Sequence, residues 1–320
     1  MHLEDRPKLF SMDHGRDILV ENITFRNSPY WTFWAQNNRG LLVRYSSIEA
    51  RRSDAHSTAA RTHSFYDLTA FNTDGFDVTG RNVHIHDCTI WNQDDAIAVK
   101  DGSQDMLFER ISASGVGLTI GSIGNSHVRN ITFRDCFMSN PYKGIYMKFR
   151  DDGGTIEDIV YENIVIDQPI QWPIWIGPAQ QADSSDLCRA NPCSLCWPAL
   201  PSAQCRGRAS TYRNILLKNI TINSPMNSPG VILADSITAM ENVIFEDVIV
   251  NNPALLKYDY HTCEGVKSGV ARGKTRPVPS CFEDQTDGGE PQARSLDRDS
   301  GRTAVGVMRR AEDVGRHKSM

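Results

Sequence analysis

No apolar run in the 320 residues approaches the ~20 needed to cross a bilayer, so a membrane-spanning helix is not expected. There is no basic excess either. The formal net charge is −5, and without a positive footprint no nucleic-acid partner is expected. The opening Met1-His2-Leu3-Glu4-Asp5 lacks the charged and apolar regions of a secretion signal. Helix-length stretches with a 3.6-residue period are also missing, which excludes a tandem of βαβ units.

Cysteine, by contrast, is present eight times and unevenly. Cys188, Cys193, Cys196 and Cys205 crowd one segment, and Cys263 and Cys281 flank another. The four-cysteine segment is rich in Pro, Ser and Ala and has no His, and its spacings are not the paired CxxC of a zinc ribbon. Disulfides are therefore expected, and with them an oxidising, extracellular compartment. The missing signal then suggests that a leader and further N-terminal coils precede Met1 in the natural protein.

What fills the chain is a ten-residue block read nine times, starting at Ile18, Leu41, His63, Val83, Met106, Ile131, Ile159, Ile215 and Val243. Its third and eighth positions are apolar in every copy, and its fifth is Asn or Asp in seven. Alternation at positions 1 and 3, then at 6 and 8, describes two short strands. The phase break between them falls on the residue types that best tolerate a left-handed bend. A third strand follows most blocks, as in Gly75-Phe76-Asp77-Val78 and Gly144-Ile145-Tyr146-Met147-Lys148.

Three strands per turn of roughly 20 to 30 residues predict an all-β, right-handed parallel β-helix. It should span 7–282, with the cysteine-rich segment as an inserted loop at about 178–212 and a disordered polar tail over 283–320. Cys88 and Cys136 both fall at the inward position 6, two coils apart with Ile111 between them. That is ~9–10 Å, too far for a disulfide, so both should be free buried thiols. The other six should form three disulfides: Cys263 with Cys281, and two within the cluster in any of three pairings.

Acids gather at one place. Asn72 and Asn92 fill the same block position, and Asp74 and Asp94 follow each by two residues, so the repeat places these acids at equivalent points of adjacent coils. Asp95 adds a third carboxylate, provided the chain bends between it and Asp94. Three converging carboxylates raise one another's pKa, giving an acid beside bases. Lying on the coil surface, they should tolerate Asn without loss of fold.

Here the words Asn72-Thr73-Asp74-Gly75, Asn92-Gln93-Asp94-Asp95 and Gly121-Ser122-Ile123-Gly124 resemble glycoside hydrolase family 28, the polygalacturonases and rhamnogalacturonases, over roughly residues 7 to 282. The resemblance implies inverting hydrolysis of an acidic, plant-type pectic polysaccharide by a secreted, monomeric enzyme without cofactor or metal. Asp94 would be the general acid, and Asp74 and Asp95 would hold the attacking water between carboxyls ~6.5–9.5 Å apart. Lys148 matches the lysine of the family's Arg-Ile-Lys motif, and Asn72, Gln93, Tyr146 and Trp175 are the remaining substrate-binding candidates, Trp175 as a sugar platform.

Two departures stand out: the family's Gly-His-Gly is Gly115-Val116-Gly117, and the motif's arginine is Tyr146. Loss of that cationic clamp favours a rhamnose-containing backbone over plain polygalacturonate. A calcium-dependent lyase, with the acids as metal ligands, and a non-catalytic pectin-binding protein are the competing classes. His84 and His86 occupy polar strand positions and read as a metal pair only weakly. Asn22, Asn130 and Asn219 head Asn-Ile-Thr sequons, hence glycosylation candidates.

Overall fold

The computed structural model describes residues 6–51, 70, 72–149, 153–178, 210–227, 229–234, 237–253 and 261–288. The cysteine-rich cluster and most of the block at His63 lie outside them. The described residues contain nineteen strands and no helix, and every strand pairing is parallel. The chain is a right-handed parallel β-helix, and Met1–Gly289 forms one compact unit.

Three ladders run along the stack. In the first, Ile18 pairs with Leu41, then Val83, Met106, Ile131, Ile159, Ile215 and Val243. The second is the far half of each block. In the third, Phe10, Phe33, Phe76, Ile97, Leu118, Ile145, Ile174, Gly230 and His261 stand in register. One row of inward side chains stacks Phe108, Phe133 and Tyr161 at 4.7 Å between successive rings. That spacing follows from the strand separation of a sheet.

Corners obey the expected chemistry and extend it. Every described residue at block position 5 has positive φ, including Tyr45 at 51° and Arg110 at 52°, which are not Asn or Asp. The residue just before the block bends the same way: Asp17, Asn82, Asp105, Asn130, Asp158, Asn214 and Asn242, with Gly40 in the remaining coil. Short amide and carboxylate side chains suit this region because they bond locally and across coils. Asn163 donates to Asp135 and Asn219 to Asn163, each at 2.8 Å. Asn130, a sequon asparagine, donates to Asp105 at 2.7 Å.

Two expectations need correction. Leu41 pairs directly with Val83, and Ala50 with Asn92, so the block at His63 is no rung between them. Apolar alternation is common to many strands, so spacing alone does not place a block in this ladder. The segment read as tail begins with a strand, Glu283–Thr286, paired with Gly269–Gly273. Cys88 and Cys136 are free and buried, Cys88 paired with Ile111 and Phe137, next to Cys136, paired with Ser112 of the same coil, and Cys263 is bonded to Cys281. No described helix is long and apolar enough to cross a membrane.

Candidate active site

The acids stand where the second ladder turns into the third. Gly75 N donates to Asp95 O at 2.9 Å, and Phe76 pairs with Ile97, so Asp74 and Asp95, not Asp94, are equivalent in register. The offset between Asn72 and Asn92 is one residue shorter than that between Phe76 and Ile97. The extra residue is taken up in a bend at Gln93 and Asp94. This bend is what lets consecutive aspartates share a site. One carboxylate oxygen from each of Asp74, Asp94 and Asp95 lies within 4.8 Å of the others.

Asp94 is half-buried, whereas Asp74 and Asp95 are 3% and 1% exposed. Its Oδ2 accepts from Asn72 N at 2.7 Å and its Oδ1 from Asp95 N at 2.8 Å. Asn72 thus reaches the site through its backbone, at a φ of 56°. Asn92 Nδ2 braces the bend by donating to Thr73 O and Asp95 O, and Gln93 N donates to Thr73 Oγ1. Gly115 lies beneath: a Cβ there would meet Asn92 Oδ1 at 2.3 Å and Asp94 O at 2.5 Å, at a φ of 98°.

Charge is balanced by two lysines. Lys148 Nζ meets Asp95 Oδ2 at 3.1 Å, and Thr119 Oγ1 donates to Asp95 Oδ1 at 2.6 Å. Gly121 makes room for that lysine, since a Cβ there would meet Lys148 O at 2.4 Å and Lys148 Cγ at 2.5 Å. Lys100 Nζ stands 3.1 Å from Asp77 Oδ1 and 3.7 Å from Asp74 Oδ2. Burial raises the Asp74 carboxyl well above the usual range, and Asp77 and Asp94 add to it. Burial likewise raises Asp94, with Asp95 next, and lifts Asp77 to about 6. The cluster therefore holds protons that isolated carboxylates would release. Asp77, Lys100 and Thr119 escape sequence reasoning because each reads as an ordinary outward residue of the third strand; only that strand's own alternation marks them.

The three acids are the one group among the described residues with the spacing of a metal cage. Two ammonium groups already face it, which opposes a cation. His84 and His86 do not form such a group: His84 Nε2 lies 3.0 Å from Glu109 and His86 Nδ1 2.5 Å from Asp87.

Tyr146 and Trp175 do occupy the outward row, as neighbours in register. They are enclosed, however, at 0% and 6% exposure, in one cluster with Trp172 and Val231 against which Val116 packs. Trp175 is thus part of a packed aromatic wall rather than an open platform. Both departures from the family words, Val116 and Tyr146, belong to that wall.

The match to the model of glycosyl hydrolases family 28 extends over residues 2–272. The chain belongs to glycoside hydrolase family 28. Among similar proteins, Endopolygalacturonase AN8327 of Emericella nidulans is 26% identical over 82% of this chain and 62% of its own length. A probable rhamnogalacturonase C of Aspergillus flavus is 38% identical over 29% of this chain and 21% of its own. The chain thus spans less than two thirds of these relatives. Among solved structures, the endo-xylogalacturonan hydrolase of Aspergillus tubingensis superposes with a TM-score of 0.58 at 18% identity, covering 90% of this chain and 69% of that one. The polygalacturonase of Erwinia carotovora gives 0.54 at 19%, covering 82% and 59%. At such identities the likeness speaks for the shared fold alone.

Proposed function

We propose that this family 28 chain is a secreted glycosidase that hydrolyses a pectic polysaccharide. The observation that carries the reading is the geometry of Asp74, Asp94 and Asp95, gathered within 4.8 Å on the outward face, with burial raising the Asp74 and Asp94 carboxyls. Asp94 protonates the glycosidic oxygen in this reading, which its partial exposure supports. Asp74 and Asp95, enclosed beneath it, hold and deprotonate a water. Lys148 pairs with Asp95 and faces the same space. The pectic class is taken from the relatives, which are named as polygalacturonases and rhamnogalacturonases.

Inversion is the stereochemistry the family likeness favours. The 4.8 Å grouping favours a second reading, since retaining enzymes hold their carboxyls ~5–5.5 Å apart and inverting ones ~6.5–9.5 Å. That closeness departs from the sequence expectation, because packing at one coil spacing sets it. Reducing-end release from homogalacturonan, rhamnogalacturonan and xylogalacturonan tests the activity, and proton NMR of the first product anomer tests the stereochemistry. No release from any of the three would sink the hydrolase reading. Retention would make one buried aspartate a nucleophile instead of a base.

A further inference from the structure

Beyond the acids, two buried polar atoms without a hydrogen-bond partner, Tyr146 Oη and Trp175 Nε1, belong to rings that adjoin the ammonium of Lys143. Ile97, Leu118 and Ile145 share a row, and Asp95, Val116 and Lys143 each stand two residues before them. Lys143 is thus two coils, ~10 Å, past Asp95 along the same edge. It is 3% exposed, enclosed to the same degree as Asp74 and Lys148, which are each 3% exposed.

The partners of its ammonium are a neutral amide and two rings. Lys143 Nζ donates to Gln171 Oε1 at 2.5 Å and lies 4.9 Å from the Tyr146 ring and 5.5 Å from the Trp175 ring. Lys148 Nζ lies 4.4 Å from the Tyr146 ring, so this one phenol adjoins both ammonium groups. No described carboxylate is within ion-pair reach of Lys143. Burial, then Lys148, lowers its pKa to about 7. Tyr146 Oη and Trp175 Nε1 are buried and have no hydrogen-bond partner.

An enclosed ammonium without a counter-ion is costly, and so is each buried donor without an acceptor. All of these shortages are of one kind. A single anionic acceptor entering between Lys143, Tyr146 and Trp175 would relieve them together, and a sugar hydroxyl would leave the charge unmatched.

We propose that Lys143, with Tyr146 Oη and Trp175 Nε1, receives the carboxylate of a uronate unit of the substrate on the C-terminal side of the acids. The identity of the polymer rests on the hydrolase reading; the carboxylate site does not need turnover. The cation lost where the family word has arginine is then supplied three residues earlier in the same coil, in place of the cation-poor subsite that Tyr146 suggests in the sequence.

Calorimetric titration of the full chain with trigalacturonate and with its methyl ester tests this. The wild type should prefer the free acid, and Lys143→Met should cut that preference by about tenfold, the loss of one charged hydrogen bond. Removing a buried charge should not unfold the chain, and Lys143→Gln provides a second charge-free variant. Tyr146→Phe, which removes a hydroxyl with no partner to lose, should lower free-acid affinity several-fold. An unchanged acid-to-ester ratio in the folded Lys143 variants, or no preference in the wild type, overturns the proposal. Should both Lys143 variants unfold, an unchanged free-acid affinity in Tyr146→Phe overturns it. Reducing-end release is read separately. Release with an unaltered ratio would sink the carboxylate site and keep the hydrolase; a collapsed ratio without release would do the reverse.

Discussion

Asp94 and Asp95 are consecutive, yet their surroundings give their substitutions different consequences. Asp94 faces outward and accepts two backbone N–H groups, one of which an amide NH2 cannot accept, so Asp94→Asn should cut turnover at least about 100-fold and cost about 1 kcal/mol of stability. Asp95→Asn should be as damaging to turnover, but it also strips Lys148 of its buried partner and should cost about 3 kcal/mol of stability. Turnover within a few-fold of wild type in either variant would end the assignment of roles; Asp74→Asn should resemble Asp95→Asn. Asp77 makes a pH-dependent prediction. Its carboxyl is raised to about 6, so the folded state holds a proton that the unfolded chain releases near pH 4. Stability is favoured below that pH and lost as pH rises through about 6. Asp77→Asn, which cannot ionise, should gain on the wild type by about 2 kcal/mol between pH 4 and 7 in denaturant titrations. A constant difference across that range would contradict the shift.

At the scale of the strand and its corners, sequence and structure agree where a local rule is strict. Position 5 announces a left-handed corner through Asn or Asp, and the corner is found even at Tyr45, where the rule is broken. That exception is testable. Tyr45 is exposed and held at a φ of 51°, so Tyr45→Asn should stabilise the chain by about 1 kcal/mol in thermal melts. No gain would mean that its edge contact with His86 outweighs the backbone cost. Pattern alone misleads where alternation is common to many strands, as in the block at His63, whose apolar spacing fits although Leu41 passes directly to Val83. The acid cluster was legible from Asn72-Thr73-Asp74-Gly75 and Asn92-Gln93-Asp94-Asp95, but its register was not. A single extra residue decides whether Asp94 or Asp95 faces Asp74, and block counting cannot see it. Lys100, Lys143 and Asp77 were illegible because their meaning depends on neighbours one or two coils away. Val116 and Tyr146, read as separate losses, prove to be one apolar wall.

Across the whole molecule, the cysteine arithmetic offers a check on the register. Cys88 and Cys136 are free and buried, and Cys263 is bonded to Cys281. Thiol titration in denaturant should find two groups before reduction and eight after, if the four remaining cysteines pair among themselves. More than two at the outset would leave the inserted segment unstapled.

The third ladder also has a direction in which it can fray. In a solenoid each rung is held by its neighbours, so loss of structure travels inward from a free end, as in a zipper. Among the described strands, the rungs of Phe10 and Phe33 lie on one side of the rung that carries Asp74. At the opposite end lie the rungs of Leu118, Ile145, Ile174, Gly230 and His261, and the Cys263–Cys281 bond clasps the last. Reducing Cys263–Cys281 should therefore loosen the rung of His261 first, and part of the β-sheet signal should fade several degrees before hydrolysis. If both disappear together, the stack unzips as one unit.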